Sequence, residues 1–206
     1  MTATKSHPII EALRTSGGPP TEVAGHLHDR LVGRAARDDL LDVAYRSMDS
    51  PLGPLLLAAT ASGLVRVAFA VQGHDRVLAD LATRISPRVL AAPAPLDRAA
   101  RQLDQYFAGR RRRFQLALDL RLASGFRRSV LDLLPDIPYG GTASYAAMAA
   151  AAGSPKAVRA VGTACATNPL PLVLPCHRVV RSDGSPGGYA GGPATKVALL
   201  ALESPS

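Results

Sequence analysis

Between Leu41 and Ala70 the chain sets short apolar and β-branched runs between turn residues: LDVAYRSM, then Asp49-Ser50-Pro51-Leu52-Gly53, then PLLLAAT, then Ser62-Gly63, then LVRVAFA. Runs of this length bounded by Gly, Pro and Ser predict three antiparallel strands joined as a meander. The period then changes. Leu78, Leu81 and Ile85 recur at helical spacing, as do Leu96, Leu103 and Phe107, and FQLALDL, ending at Leu120, reads as a further strand. The second half is helical. One helix runs from Phe126 to Leu134 and is closed by Pro135 and Ile137-Pro138-Tyr139-Gly140-Gly141; Ser144-Tyr145 opens a second, YAAMAAAA. After Gly153-Ser154-Pro155 comes KAVRAVGTACA, a helix for which Ser154 is the expected N-cap and Pro155 the first-turn residue. A last helix, ATKVALLALE, ends at Glu203. Two short helices about a glycine turn match a helix-turn-helix, a pattern shared by αα-hairpins that bind nothing.

This reading divides the chain into an extension at residues 1–40, an α/β domain at 41–121 and a mainly α domain at 122–206. The extension, with Gly17-Gly18-Pro19-Pro20 and scattered charges, is expected to be partly disordered apart from a short helix around Ile9 to Leu13. The first thirty residues hold no apolar run of signal-peptide length. No later stretch approaches the roughly 18 uninterrupted apolar residues of a membrane span. The expectation is a cytoplasmic protein, monomeric and without a membrane partner. The two cysteines, Cys165 and Cys176, do not pair with the five histidines in zinc-ligand spacing. His26 and His28 form at most a weak chelating pair, so neither metal nor cofactor is expected. Charge is uneven: residues 101–206 carry 13 Lys and Arg against 6 Asp and Glu, whereas residues 1–100 carry 11 against 10. A basic second half favours a polyanion such as nucleic acid, or is a solvated face.

The chemistry concentrates in LPCHRVVRSDGSPGGYAGG, Leu174 to Gly192. PLPLVLP is too apolar to lie in water, so it carries Cys176 to the floor of a cleft. A cysteine alone reads as a small buried hydrophobe. Beside His177 it also reads as a nucleophile, because an imidazole acting directly or through one water can take the thiol proton. Glu203 opposes the dipole of the helix it ends, a cost unless the carboxylate has another use. The helix before this loop carries Arg159 among Ala157, Ala160, Gly162 and Ala164. Glycine there costs about 1 kcal/mol against alanine, so Gly162 marks a close approach, either inside the protein or to an outside surface.

Asn168-Pro169 with Pro175-Cys176-His177-Arg178-Val179, preceded by Ser144-Tyr145 and Arg159-Ala160-Val161-Gly162 and followed by Gly188-Tyr189-Ala190-Gly191-Gly192, resembles the O6-alkylguanine-DNA alkyltransferases. The resemblance spans roughly residues 41 to 203, is strongest over the last 65, and earlier rests on Ser50-Pro51-Leu52-Gly53 and the Gly63-Leu64 turn. It implies a ribonuclease-H-like α/β N-terminal domain with a small antiparallel sheet, and a mainly α, winged-helix-like C-terminal domain containing the helix-turn-helix. It implies direct-reversal DNA repair, in which an alkyl group moves irreversibly and stoichiometrically from O6-alkylguanine in duplex DNA to Cys176; O4-alkylthymine is left open as a second substrate. His177 and Glu203 would be a water-linked relay, and Asn168 would tie the helix-turn-helix to the Cys176 loop. Arg159 would fill the base stack behind a flipped guanine, with Ala160 and Gly162 fitting the minor groove. Tyr145 would crowd the phosphate and help protonate the leaving base. Pro171, Val179, Gly187, Tyr189 and Ala190 would line the pocket. The chain departs from the family at Ala190, where some relatives carry serine, in the absence of the N-terminal zinc ligands of some members, and in keeping only part of the usual pattern at Gly125 to Val130. Two other readings compete. A lesion sensor that flips a base and transfers nothing has no use for Cys176. A thiol hydrolase using Cys176, His177 and Glu203 has no use for Arg159 or a basic second half.

Overall fold

Helix α1, Thr21–Arg37, follows directly on Pro19-Pro20 in the sequence. The computed structural model describes residues 21–37 and 40–204, in two units, Met1–Leu40 and Leu41–Ser206, each taken by itself. The short helix expected around Ile9 to Leu13 lies outside the described residues. Gly17-Gly18-Pro19-Pro20 gives no sign of the helix that follows it. Its own composition explains it: Glu22, Ala24, Leu27, Leu31 and Ala35 are strong helix formers, and Arg34 and Arg37 lie in the last turn, where cations suit the dipole.

The second unit opens with the expected meander: β1 Val43–Met48, β2 Leu55–Thr60 and β3 Gly63–Phe69, paired antiparallel. The Ser50 hydroxyl closes the first turn by donating to the Gly53 carbonyl at 2.6 Å and accepting from Leu52 N at 3.1 Å. A fourth strand, β4 Val89–Ala91, pairs parallel with β1 and makes the sheet mixed, in the order β3-β2-β1-β4. Three residues carry too little alternation to announce a strand; β4 exists because β1 offers an edge. Strand β2 is buried along Leu55 to Ala59 because both faces are covered. Helix α2, His74–Arg84, seals one face with Val77 and Leu81. On the other, Leu55, Leu57 and Phe69 join Leu103 and Tyr106 of α3, Asp97–Phe107, in a core that continues into the C-terminal helices through Leu131, Val161, Cys176 and Leu199.

The strand expected at FQLALDL is corrected. Residues 114–120 are extended but make only an isolated parallel bridge, Leu64 to Leu118. The Gln102 side chain takes the place of a partner strand there, donating to Gln115 O at 3.0 Å and accepting from Gln115 N at 2.8 Å. The alternation was real, since Phe114, Leu116, Leu118 and Leu120 all pack on the core, but backbone pairing followed a side-chain amide that periodicity does not see.

The C-terminal part holds α4 Gly125–Leu133, α5 Tyr145–Ala151, α6 Val158–Ala166 and α7 Pro193–Glu203. Ser144 caps α5 by accepting from Ala147 N at 3.0 Å. Ser154 does not cap α6, which begins at Val158 with Ala157 at the N-cap and no side-chain bond. Instead Ser154 O accepts from Ala157 N at 2.8 Å, so Pro155 sits second in a turn, a place its fixed φ suits as well as a helix start. Strands β5 Ala143–Ser144 and β6 Val179–Val180 pair parallel and clamp the start of α5 to the segment after Cys176. None of the described helices is long and apolar enough to cross a membrane.

Candidate active site

Cys176, His177 and Arg178 form one 3-10 turn, and all three are buried. The turn is reached through Asn168 to Pro175, where Leu172 takes a positive φ of 75°. A branched residue in that region costs of order 1–3 kcal/mol and persists where its surroundings over-determine it. Asn168 is central to that restraint. Its Oδ1 accepts from Leu170 N at 2.9 Å, and its Nδ2 donates to Leu174 O at 2.8 Å and to Cys176 Sγ at 3.1 Å. One buried amide, two residues past the end of α6, thus shapes the loop and holds the sulfur. Cys176 lies at 0% exposure, so the expected cleft floor is covered in this conformation.

Beside the thiol lies a charged chain. His177 Nε2 is 2.9 Å from Glu203 Oε1. Arg178 donates to both Glu203 oxygens, from Nε at 2.8 Å and from its second terminal nitrogen at 2.9 Å, and its other terminal nitrogen donates to Ile137 O at 2.6 Å. The Tyr106 hydroxyl donates to Glu203 Oε1 at 2.7 Å and stands 3.5 Å from His177 Nε2. Burial opposes ionisation of Glu203, but these donors outweigh it and hold the carboxyl down at about 2. Burial lowers the His177 pKa despite the carboxylate, so the ring is neutral. A neutral ring whose Nε2 faces a carboxylate carries its proton there and leaves the Nδ1 lone pair open. Nδ1 is buried and without a hydrogen-bond partner among the described residues.

Burial pushes the Cys176 thiol up to about 11 against the help of Asn168 and Lys196, so at rest the sulfur keeps its proton. Cys165 is pushed to about 12, chiefly by burial. The resting sulfur is therefore a thiol and not a standing thiolate. Opposite the sulfur, the Lys196 ammonium donates to Val179 O at 2.5 Å and to the Tyr145 hydroxyl at 3.3 Å, and lies 5.5 Å from the centre of the Tyr145 ring. Tyr145 is half-buried and raised to about 12, mostly by desolvation. Tyr189 stacks edge-on against His177 and Phe69. A Cβ on Gly187 would collide with the Tyr145 hydroxyl, which is why glycine stands there.

The structure gathers Cys176, His177, Glu203, Asn168, Tyr145, Val179, Gly187 and Tyr189 about one place, with Pro171 buried in the loop and Ala190 half-buried beyond it. Arg159 and Ala160 are exposed on α6, while Val161, Ala164 and Cys165 face inward. A Cβ on Gly162 would meet nothing within 4 Å, so internal packing is not the reason for that glycine. Sequence reading missed three residues. Lys196 lies seven positions before Glu203 on the buried stripe of α7, a spacing that could have been noticed. Arg178 stands inside the motif and needed only the question of where its charge goes. Tyr106 gave no local signal, since it reaches Glu203 from 97 residues away. Among the described residues no three His, Cys, Asp or Glu side chains gather as metal ligands.

Known proteins align with this arrangement over most of its length. Residues 43–120 match the 6-O-methylguanine DNA methyltransferase ribonuclease-like domain, and residues 125–205 match the DNA binding domain of the same family. The methylated-DNA--protein-cysteine methyltransferase of Mycobacterium tuberculosis is 40% identical over 161 residues, which is 78% of this chain and 92% of the relative. That of Methanosarcina barkeri is 40% identical over 162 residues, 77% and 96%. The bifunctional transcriptional activator/DNA repair enzyme Ada of Escherichia coli is 33% identical over 207 residues, covering 97% of this chain and 58% of Ada. The crystal structure of the M. tuberculosis O6-methylguanine methyltransferase superposes with a TM-score of 0.68 at 38% identity, covering 80% of this chain and 96% of that one. The M. tuberculosis protein in complex with DNA superposes at 0.67, also at 38% identity, over 79% and 96%. With both domains matched and the M. tuberculosis and M. barkeri relatives covered nearly end to end, this chain belongs to the 6-O-methylguanine DNA methyltransferase family.

Proposed function

We propose that Cys176 is the alkyl acceptor of a methylated-DNA–protein-cysteine methyltransferase that repairs duplex DNA by direct reversal. The observation that carries this reading is the Asn168 amide on the sulfur beside the His177–Glu203–Arg178 chain. His177 Nδ1 receives the thiol proton, through one water if the two do not touch, while Glu203 stabilises the imidazolium that forms. Sulfur attacks the alkyl carbon on guanine O6, the carbon–oxygen bond breaks, and its electron pair goes to the base. Tyr145, with Lys196 at its hydroxyl, supplies the proton that the departing guanine takes up. Val179 O, oriented by Lys196, reads the base edge together with the walls at Tyr189, Gly187 and Pro171. The product is a thioether. Its carbon has no carbonyl for water to attack, so the protein is consumed, unlike a thiol hydrolase.

Base flipping belongs to the same proposal. Arg159, exposed on α6, fills the space behind the extruded guanine, and Ala160 and Gly162 let the helix approach the minor groove. This outward set of small residues favours α6 as the contact element, in line with the basic second half. We infer a cytoplasmic location, because a reaction that needs a free thiol suits a reducing compartment and both cysteines are free.

Intact-mass measurement and peptide mapping after incubation with duplex containing O6-methylguanine test the reading. One methyl group per chain is expected, on Cys176 and not on Cys165, which has no imidazole beside it. Cys176→Ser should lose transfer and keep DNA binding. Turnover beyond one equivalent, or methyl on Cys165, overturns the proposal.

A further inference from the structure

A cavity of about 290 Å³ lies between the sheet and the start of α4, lined by Arg66, Gln72, Arg84, Leu122, Arg127 and the segment Ala166 to Pro169. Three guanidinium groups from β3, α2 and α4 meet there. Among the described residues their one carboxylate partner is Asp80, 3.3 Å from Arg84. Arg84 also donates to Leu122 O at 3.3 Å, and Arg127 reaches only the Thr167 hydroxyl, at 3.4 Å. Arg66 Nε is buried without any hydrogen-bond partner among the described residues. A guanidinium does not neutralise itself by losing a proton, so this arrangement costs desolvation and mutual repulsion. The pKa directions agree: Arg66 is lowered first by burial and further by Arg84 and Arg127, with only Asp80 opposing.

We propose that Arg66, Arg84 and Arg127 form a phosphate-binding site. Planar donor forks match tetrahedral oxyanions, and a phosphate repays the repulsion among the three charges while occupying the orphaned Nε. The volume holds such an ion with several waters, at about 30 Å³ per water. Gln72, whose Oε1 accepts from Phe69 N at 3.0 Å, lines the same cavity and adds a neutral polar group to it. The inference does not rest on Cys176, and it stands whether the phosphate is free or belongs to a nucleic-acid backbone.

The test uses the full chain. With inorganic phosphate against chloride at matched ionic strength, the melting temperature should rise by roughly 3–5 °C for each tenfold increase above half-saturation. Arg66→Gln should lose at least tenfold in apparent phosphate affinity. If Arg66→Gln does not fold, the more exposed Arg84→Gln and Arg127→Gln carry the same expectation. Salt dependence of binding to undamaged duplex separates the two sources. A phosphodiester occupant lowers the slope of log affinity against log salt by about 0.9 per lost contact in the variants, whereas a free-phosphate site leaves it unchanged. No phosphate-specific stabilisation together with an unchanged slope overturns the proposal.

Discussion

At the scale of single residues, burial decides how Cys176 behaves. A thiol held near 11 is protonated at neutral pH, so its reactivity belongs to the encounter with substrate. The expected signature is the absence of thiolate absorbance between pH 7 and about 9 in the difference spectrum of wild type minus Cys176→Ser; a midpoint near neutrality would show a standing thiolate. Tyr106 is the second test at this scale. Its hydroxyl is one of four donor groups on Glu203, so Tyr106→Phe removes a bond to a charged acceptor that keeps Arg178, His177 and Gly140 N. A loss of about 1–2 kcal/mol is expected in denaturant titration, while Glu203, held at about 2, stays ionised at neutral pH. Cys176 and His177 were legible as a pair because they adjoin in sequence. Tyr106 was not, because nothing local distinguishes a tyrosine that packs from one that also donates.

At the scale of elements, α6 combines an inward face of Val161, Ala164 and Cys165 with an outward face that carries Arg159 and Ala160, exposed among the described residues. Since a Cβ at Gly162 meets open space, Gly162→Ala should stabilise the fold by up to about 1 kcal/mol through helix propensity. Gly162→Leu should spare stability and reaction with free O6-benzylguanine while impairing repair of duplex DNA. Arg159→Ala should separate the two substrates in the same way, because unstacking a base costs a few kcal/mol that a free base does not impose. Equal loss on both substrates would place these residues in the pocket or the fold instead. The helices were legible as elements, but the start of α6 was misplaced because Ser-Pro serves a turn and a helix N-terminus equally well. The Gly187 contact with Tyr145 could not be read at all, since it joins a loop and a helix 42 positions apart.

For the whole molecule, Glu203 ties α7 to the Cys176 turn, to α3 through Tyr106 and to the Tyr139-Gly140 bend, whose Gly140 N donates to it at 3.3 Å. Stability should follow its charge. Its carboxyl titrates at about 2 in the fold against 4.5 in the open chain, so the stabilisation is complete above 4.5 and is lost as pH falls toward 2. His177 adds in the same direction: lowered in the fold, it charges more readily when unfolded, so loss begins as pH drops through about 6.5. Equilibrium unfolding from pH 7 to 3 should show this decline, and Glu203→Gln should flatten its lower part. That variant also strands the Arg178 charge, at about 3–5 kcal/mol, so its slower transfer must be measured where the fold is intact. A flat profile in the wild-type protein would remove Glu203 from both roles.

The meander, the helices of the second half and the adjacency of Cys176 and His177 are legible in the chain alone, because strand alternation, helical periodicity and adjacency are local properties. The sequence also placed Asn168, Tyr145 and Glu203 in one site through the resemblance of their motifs. Only the tertiary structure decided which groups pay for burying that site's charge. Arg178, Tyr106 and Lys196 converge from separate elements, and the same distance in sequence hid β4, the amide that replaces a strand partner at Gln115, and the arginines facing one another behind β3. Patterns report which face of an element is apolar. They do not report which polar atom meets which across a core, since that depends on how the elements are stacked.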